Sequence, residues 1–216
     1  MRGTLALTLL LAACSGNQVS FPGTDTHQLF PFDGERSWVY QSSDTTVPFL
    51  LEGELLSEPE EIDGRNVYTI NYFKDCQRDD AGCTDGDLFF ALRMSNVDPG
   101  GTMIHGYDPG DGNVDLDPPL LVIEGEARTQ DVLETTTAGI RFETEYLGQG
   151  SCGDLIVINT SWDCHGIEIR GEVDLFPITG TIQAVAGQGI VNFAFSSHTD
   201  QWKLLSSTQD GADGVW

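Results

Sequence analysis

Period-two alternation of apolar and polar residues constrains this chain more than any other feature. In GIRFETEYL, residues 139–147, Ile140, Phe142, Thr144 and Tyr146 point one way while Arg141, Glu143 and Glu145 point the other. In GIEIRGEV, residues 166–173, Ile167, Ile169 and Val173 oppose Glu168, Arg170 and Glu172. Tyr68, Ile70 and Tyr72 share a face in NVYTINYF, residues 66–73. Successive side chains of a strand lie on opposite faces, so this is the pattern of half-buried antiparallel strands. Helical periodicity is confined to FLLEGELL, residues 49–56, where Gly53 and the nearby Pro48 oppose a helix.

Turn signals separate the alternating runs: EIDGRN, TDGD, DPGG, DPGDGN and AGQG. Strands then recur about every 10 to 15 residues with no convincing helix between them. The reading is all-β: a single antiparallel domain built as a curved sheet, a sandwich or an incomplete barrel. Roughly 190 residues bury a sizeable core in one such unit. Trp38 and Tyr40, on one face of the first strand, are expected core anchors because aromatic rings bury large area.

The N-terminus MRGTLALTLLLAACSG carries Arg2, an apolar run from Leu5 to Leu11, and small residues at Ala12 and Ala13. That is the layout of an export signal, and its apolar part is far short of the roughly 20 residues of a spanning helix. Leu11-Ala12-Ala13-Cys14 resembles the lipobox of bacterial lipoproteins. The resemblance implies a diacylglycerol thioether on Cys14, cleavage just before it, and acylation of the new amine. Two or three acyl chains at about 0.8 kcal/mol per buried methylene hold a polar domain on a bilayer. The alternative is an incidental cysteine beside an ordinary cleavage site. By the same resemblance, Ser15 after the cysteine directs the product to the outer membrane. The expected organisation is a signal peptide over 1–13, the lipidated cysteine and a tether over 14–28, the all-β domain over 29–209, and a tail over 210–216.

Two further stretches carry a resemblance. LFPFDGERSWVYQ, residues 29–41, is similar to the PL-x-x-G-x-x-W-x-Y opening of uncharacterised envelope lipoproteins, with Phe32 in place of leucine. GTIQAVAGQGIVNFAF and QWKLLSS, within residues 180–207, resemble their closing hairpin, where a Gly-x-Gly turn joins strands. The resemblance implies a sheet-rich exported domain and no reaction.

Charge excludes one class of partner. Loss of residues 1–13 removes Arg2 and no acid, leaving nine basic residues against 34 acidic ones and a net charge near −25. Such a field repels nucleic acid and anionic lipid. Four cysteines remain besides Cys14: Cys76, Cys83, Cys152 and Cys164. An even count in an exported chain reads as a disulfide framework. Three pairings exist, and the nearest-neighbour one closes short local loops. A four-thiolate zinc site is the rival, but no C-x-x-C pair is present.

Catalytic patterns fail one by one. GQGSCG, residues 148–153, has Gln149 where a G-x-S-x-G elbow needs glycine. No H-E-x-x-H occurs, and His27, His105, His165 and His198 are far apart in sequence. The expectation is therefore a protein that is not an enzyme and needs no cofactor, with calcium as the one exception to weigh. Asp75, Asp79, Asp80, Asp85 and Asp87 crowd one loop; Asp108, Asp111, Asp115 and Asp117 crowd another. Calcium takes roughly six to eight oxygens, which such loops supply, yet neither fits the EF-hand spacing, and solvated turns explain the same residues. The reading favoured is a membrane-anchored envelope lipoprotein with a non-enzymatic binding or structural domain, its partners the bilayer and an envelope protein or apolar ligand. The alternatives are a calcium-stabilised surface module, a lipid carrier in a half-barrel, and a carboxylate-pair hydrolase.

Overall fold

Alternation becomes sidedness in three dimensions. Phe142, Thr144 and Tyr146 are buried while Arg141 and Leu147 are exposed, and Ile167 and Ile169 are buried beside exposed Arg170. A computed structural model of the chain describes residues 29–209, except 33, 35, 43–49, 57, 76–85, 98–99, 126, 153–162, 173–177 and 197–200. The described residues form thirteen strands. These are β1 (Arg36–Ser42), β2 (Leu50–Leu55), β3 (Glu60–Ile62), β4 (Arg65–Asp75), β5 (Leu88–Val97), β6 (Gly101–Asp108) and β7 (Val114–Ile123). The second half holds β8 (Val132–Thr137), β9 (Ile140–Ser151), β10 (Asp163–Gly171), β11 (Gly180–Val185), β12 (Gly189–Phe195) and β13 (Trp202–Gln209).

All pair antiparallel in one sheet of order β7-β6-β5-β4-β2-β1-β13-β12-β11-β10-β9-β8, with β3 paired on β4. Of the three architectures left open by the sequence, this is the incomplete barrel: nearly closed, with one unsealed seam where β7 faces β8. Nearly every neighbour in the sheet is a neighbour in sequence. The exceptions are β1 on β13, which closes the meander, and the β3 excursion. FLLEGELL is strand, not helix. Gly53 packs where a Cβ would lie 3.2 Å from the Tyr72 ring, so its missing side chain makes room for aromatics.

The interior is filled by rings. Tyr72 stacks on Phe90 with centroids 4.2 Å apart, and Phe193 meets Tyr40 edge-on at 5.3 Å. Phe89 is the extra residue of a bulge opposite Tyr72 and Phe73, and it meets the fully buried Trp202 edge-on at 5.6 Å. Rings of β1, β4, β5, β12 and β13 thus join across the barrel, with the added stabilisation of edge-to-face geometry.

Trp38 and Tyr40 are buried, as core anchors must be, and they also fasten the two ends of the domain together. Arg36 Nη1 donates to Gly187 O at 3.0 Å, Trp38 Nε1 to Gln188 O at 2.8 Å, and Tyr40 Oη to Ile190 O at 2.8 Å. Alternate residues of β1 therefore bond three carbonyls of the β11–β12 hairpin. The opening stretch and the closing hairpin are one packed unit.

Strand direction gives the barrel two unlike ends. At one end lie the β4–β5, β6–β7 and β8–β9 connections. The other end receives the incoming chain. Leu29 and Phe30 are fully buried there, Asn96 Nδ2 donates to Phe30 O at 3.1 Å, and Phe32 stacks on Tyr68 at 4.9 Å.

Candidate functional site

The acidic residues expected to hold calcium are divided in their roles. Asp108 Oδ1 accepts from the backbone N–H of Gly110 at 2.8 Å and of Gly112 at 3.0 Å, so it caps its own turn. Asp115 pairs with Arg93 Nη1, whose Nη2 lies 2.6 Å from Glu60. Asp87, Asp111 and Asp117 are exposed. Asp79, Asp80 and Asp85 lie outside the described residues, as does the side chain of Asp75. Among the described residues no group of three His, Cys, Asp or Glu side chains is placed to share a metal ion.

Cys152 and Cys164 form a disulfide with Cα atoms 4.9 Å apart, joining the end of β9 to the start of β10. Cys14, Cys76 and Cys83 lie outside the described residues.

Carboxylates on the outer wall are matched with arginine. Glu145 and Glu168 are cross-strand partners, and Arg170 Nη2 lies 2.5 Å from each. Arg141 Nη2 lies 2.6 Å from Glu134 and 2.9 Å from Glu143.

Two histidines are buried against hydroxyls. Tyr146 Oη is 2.9 Å from His165 Nδ1, and Ser95 Oγ is 2.8 Å from His105 Nε2. His105 is the extra residue of a bulge in β6 opposite Arg93 and Met94. Its pKa is lowered by burial first and by Arg65 and Arg93 next, against a smaller raising influence from Asp63. Serine beside a neutral imidazole has the polarity of a nucleophile–base pair. Ser95, however, is fully buried, so no substrate carbon reaches its Oγ.

The feature with the geometry of a binding site is one that the motif search passed over. Gly166, Gln183, Asn192 and Lys203 stand in cross-strand register on β10, β11, β12 and β13, forming one row across the wall. Each alternates with buried neighbours such as Ile167, Ile182, Phe193 and Trp202, so the row faces away from the interior. The wall is sunken here into a cavity of about 340 Å³. Gly166 leaves space at one side because it has no side chain. Leu147, the extra residue of a bulge opposite Gly166 and Ile167, stands beside it; Thr181, Gln201 and Cys152 complete the rim.

Asn192 is only 7% exposed at this point on the outer wall. Its Nδ2 donates to Gln183 Oε1 at 2.9 Å, and its Oδ1 is buried with no hydrogen-bond partner. Leaving a buried acceptor unsatisfied costs about 1–3 kcal/mol. An outer-face asparagine inside the otherwise apolar GIVNFAF was the signal in the sequence. Comparison of the chain with protein families, with curated proteins and with solved structures returned no match.

Proposed function

We propose that this chain is a bacterial envelope lipoprotein in which Cys14 carries the lipid and the barrel is a non-enzymatic binding domain held close to the membrane. The observation that carries the reading is the seating of residues 29–32 in one end of the barrel. The domain begins at that end, and the LAAC segment precedes it in sequence. Fourteen residues lie between Cys14 and Leu29, a reach of at most about 50 Å when extended. The seated end then faces the bilayer, and the acidic β6–β7 turn, at the opposite end of the barrel, faces away from it. On the resemblance, Ser15 selects the outer membrane.

Attachment by lipid, not by strands, is supported by the polarity of the wall. A membrane-spanning barrel is apolar outside and polar inside. Here Arg141, Arg170, Glu52 and Glu54 are exposed on the outer wall while tyrosine, phenylalanine and tryptophan fill the inside. The same filling argues against an acyl chain carried within the barrel, because the rings occupy that volume. The closely spaced carboxylates of Glu134 and Glu143, and of Glu145 and Glu168, are each engaged by an arginine, which disfavours a carboxylate-pair hydrolase built on them.

Metabolic labelling with an alkyne fatty acid tests the anchor. The wild-type chain is expected to take the label and enter the detergent phase, while Cys14→Ser stays unlabelled and aqueous. Mass spectrometry that finds a free thiol at Cys14, or cleavage elsewhere, overturns the reading.

A further inference from the structure

We infer that the free edge of β8 is a docking site for an extended, basic segment of a partner protein, which adds to the sheet as one more antiparallel strand. This names a partner for the binding-domain reading and does not depend on the lipid at Cys14. Backbone pairing fixes which groups are on offer. The β8–β9 hairpin turns at Ala138-Gly139, and at its other end Tyr146 N–H donates to Asp131 O at 3.0 Å. Between those points Leu133 stands opposite Thr144, and Thr135 opposite Phe142. Asp131, Leu133, Thr135 and Thr137 therefore turn their N–H and C=O groups to β9, while Val132, Glu134 and Thr136 turn theirs to the edge. Those three are exposed, Val132 by 47%, and no described strand pairs with them. β7 meets β9 from the interior, where inward-facing Thr144 reaches Leu121 O, and leaves this edge open.

The two edges of the sheet are built differently. β7 carries Asp115, Asp117, Pro118 and Pro119, and proline removes the N–H that an added strand would need. β8 reads VLETTT, rich in β-branched residues, without proline, lysine or a bulge. Such an edge is the template that strand addition uses. Charge selects the occupant. Glu134 and Glu143 are cross-strand partners, as are Glu145 and Glu168, and two arginines, Arg141 and Arg170, are shared among these four carboxylates. The wall beside β8 keeps a negative balance, and an added strand sets its outward side chains against it at cross-strand distance. A basic residue opposite Glu134 is favoured there and an acidic one opposed. A second copy of this chain is the wrong occupant for the same reason. Full overlap of two antiparallel β8 edges puts Glu134 opposite its own counterpart, and like charges directly opposite destabilise the pair.

The test titrates the full-length protein in detergent with two end-capped peptides, TVTKTVT and TVTETVT, followed by amide NMR. TVTKTVT is expected to saturate and to slow hydrogen exchange at the Val132, Glu134 and Thr136 amides. TVTETVT is expected to bind at least tenfold more weakly. N-methylation of the lysine and both valines of TVTKTVT removes the N–H groups that face β8 and is expected to abolish binding. N-methylation of the two threonines beside the lysine is expected to leave binding in place, since those groups face away. Glu134→Lys, at an exposed side chain, is expected to reverse the preference between the two peptides. The inference is overturned if TVTKTVT does not saturate at millimolar concentration, if its lysine-and-valine N-methylated form binds like the parent, or if the two peptides bind alike. It is also overturned if the same amides become protected without peptide as protein concentration rises, because a second copy then holds the edge. The anchoring reading survives each of these results, and a free thiol at Cys14 leaves this one intact.

Discussion

Thr144 on β9 donates its hydroxyl to the carbonyl of Leu121 on β7 at 2.8 Å, across the one gap in the barrel. Backbone pairing stops at β7 on one side and β8 on the other, so this side-chain bond spans a place where the ladder does not. Thr144 is 1% exposed, and the Leu121 carbonyl it serves is part-buried. Thr144→Val keeps the shape and removes the donor. The expected cost is about 0.5–1.5 kcal/mol, the net contribution of one hydrogen bond to a part-buried carbonyl. Denaturant unfolding measures it, and hydrogen exchange is expected to quicken in β7 and β8 before the aromatic side of the barrel.

Stability falls at alkaline pH because buried phenols resist ionisation. Burial raises the pKa of Tyr40, with the neighbouring Tyr72 next in effect, and burial likewise raises Tyr72 and lifts Tyr146 to about 12. Above the ordinary tyrosine value of about 10, the unfolded chain releases these protons while the folded chain keeps them. The folded state then loses about 1.4 kcal/mol per pH unit for each phenol held neutral. Unfolding midpoints between pH 9 and 12 check the slope, and Tyr72→Phe is expected to flatten it by one group. A midpoint that is level across this range contradicts the buried-phenol account.

Strands were legible because alternation is local, and one residue's sidedness predicts the next. Ile140 to Tyr146 illustrate this: their faces were readable from nine residues. The turn at Ala138-Gly139 was less so. Both residues have positive φ, at 50° and 77°, yet alanine lacks the side-chain oxygen that marks such turns. Bulges hid as well, since an extra Leu147 or His105 is defined by the partner strand and leaves no local trace. The amide row escaped for the same reason. Gln183, Asn192 and Lys203 become neighbours only through register, which no motif spacing encodes.

On the acid side, His105 sets a separate trend. Its folded pKa lies below the ordinary 6.5, so below that pH the unfolded chain binds a proton that the folded chain resists. Stability is therefore retained above about pH 6.5 and declines as the pH falls toward 5. His105→Gln keeps a group able to bond Ser95 and cannot titrate. This variant is expected to show a flatter dependence between pH 6.5 and 5, read from denaturant midpoints.

The Cys152–Cys164 bond acts mostly on the unfolded chain. Its ends are twelve residues apart, and both sulfur-bearing residues are buried. A loop of this length removes roughly 2.5–3 kcal/mol of chain entropy from the denatured state. The folded state has independent support at the same place, because Glu143 to Gly150 of β9 pair along β10, and Tyr146 bonds His165. Cys152→Ala with Cys164→Ala is therefore expected to lower the melting temperature by about 5–12 °C for a domain of this size. Far-ultraviolet circular dichroism below the transition is expected to stay unchanged. Loss of the β signal at room temperature in the double variant would show instead that the bond is required for the barrel to form.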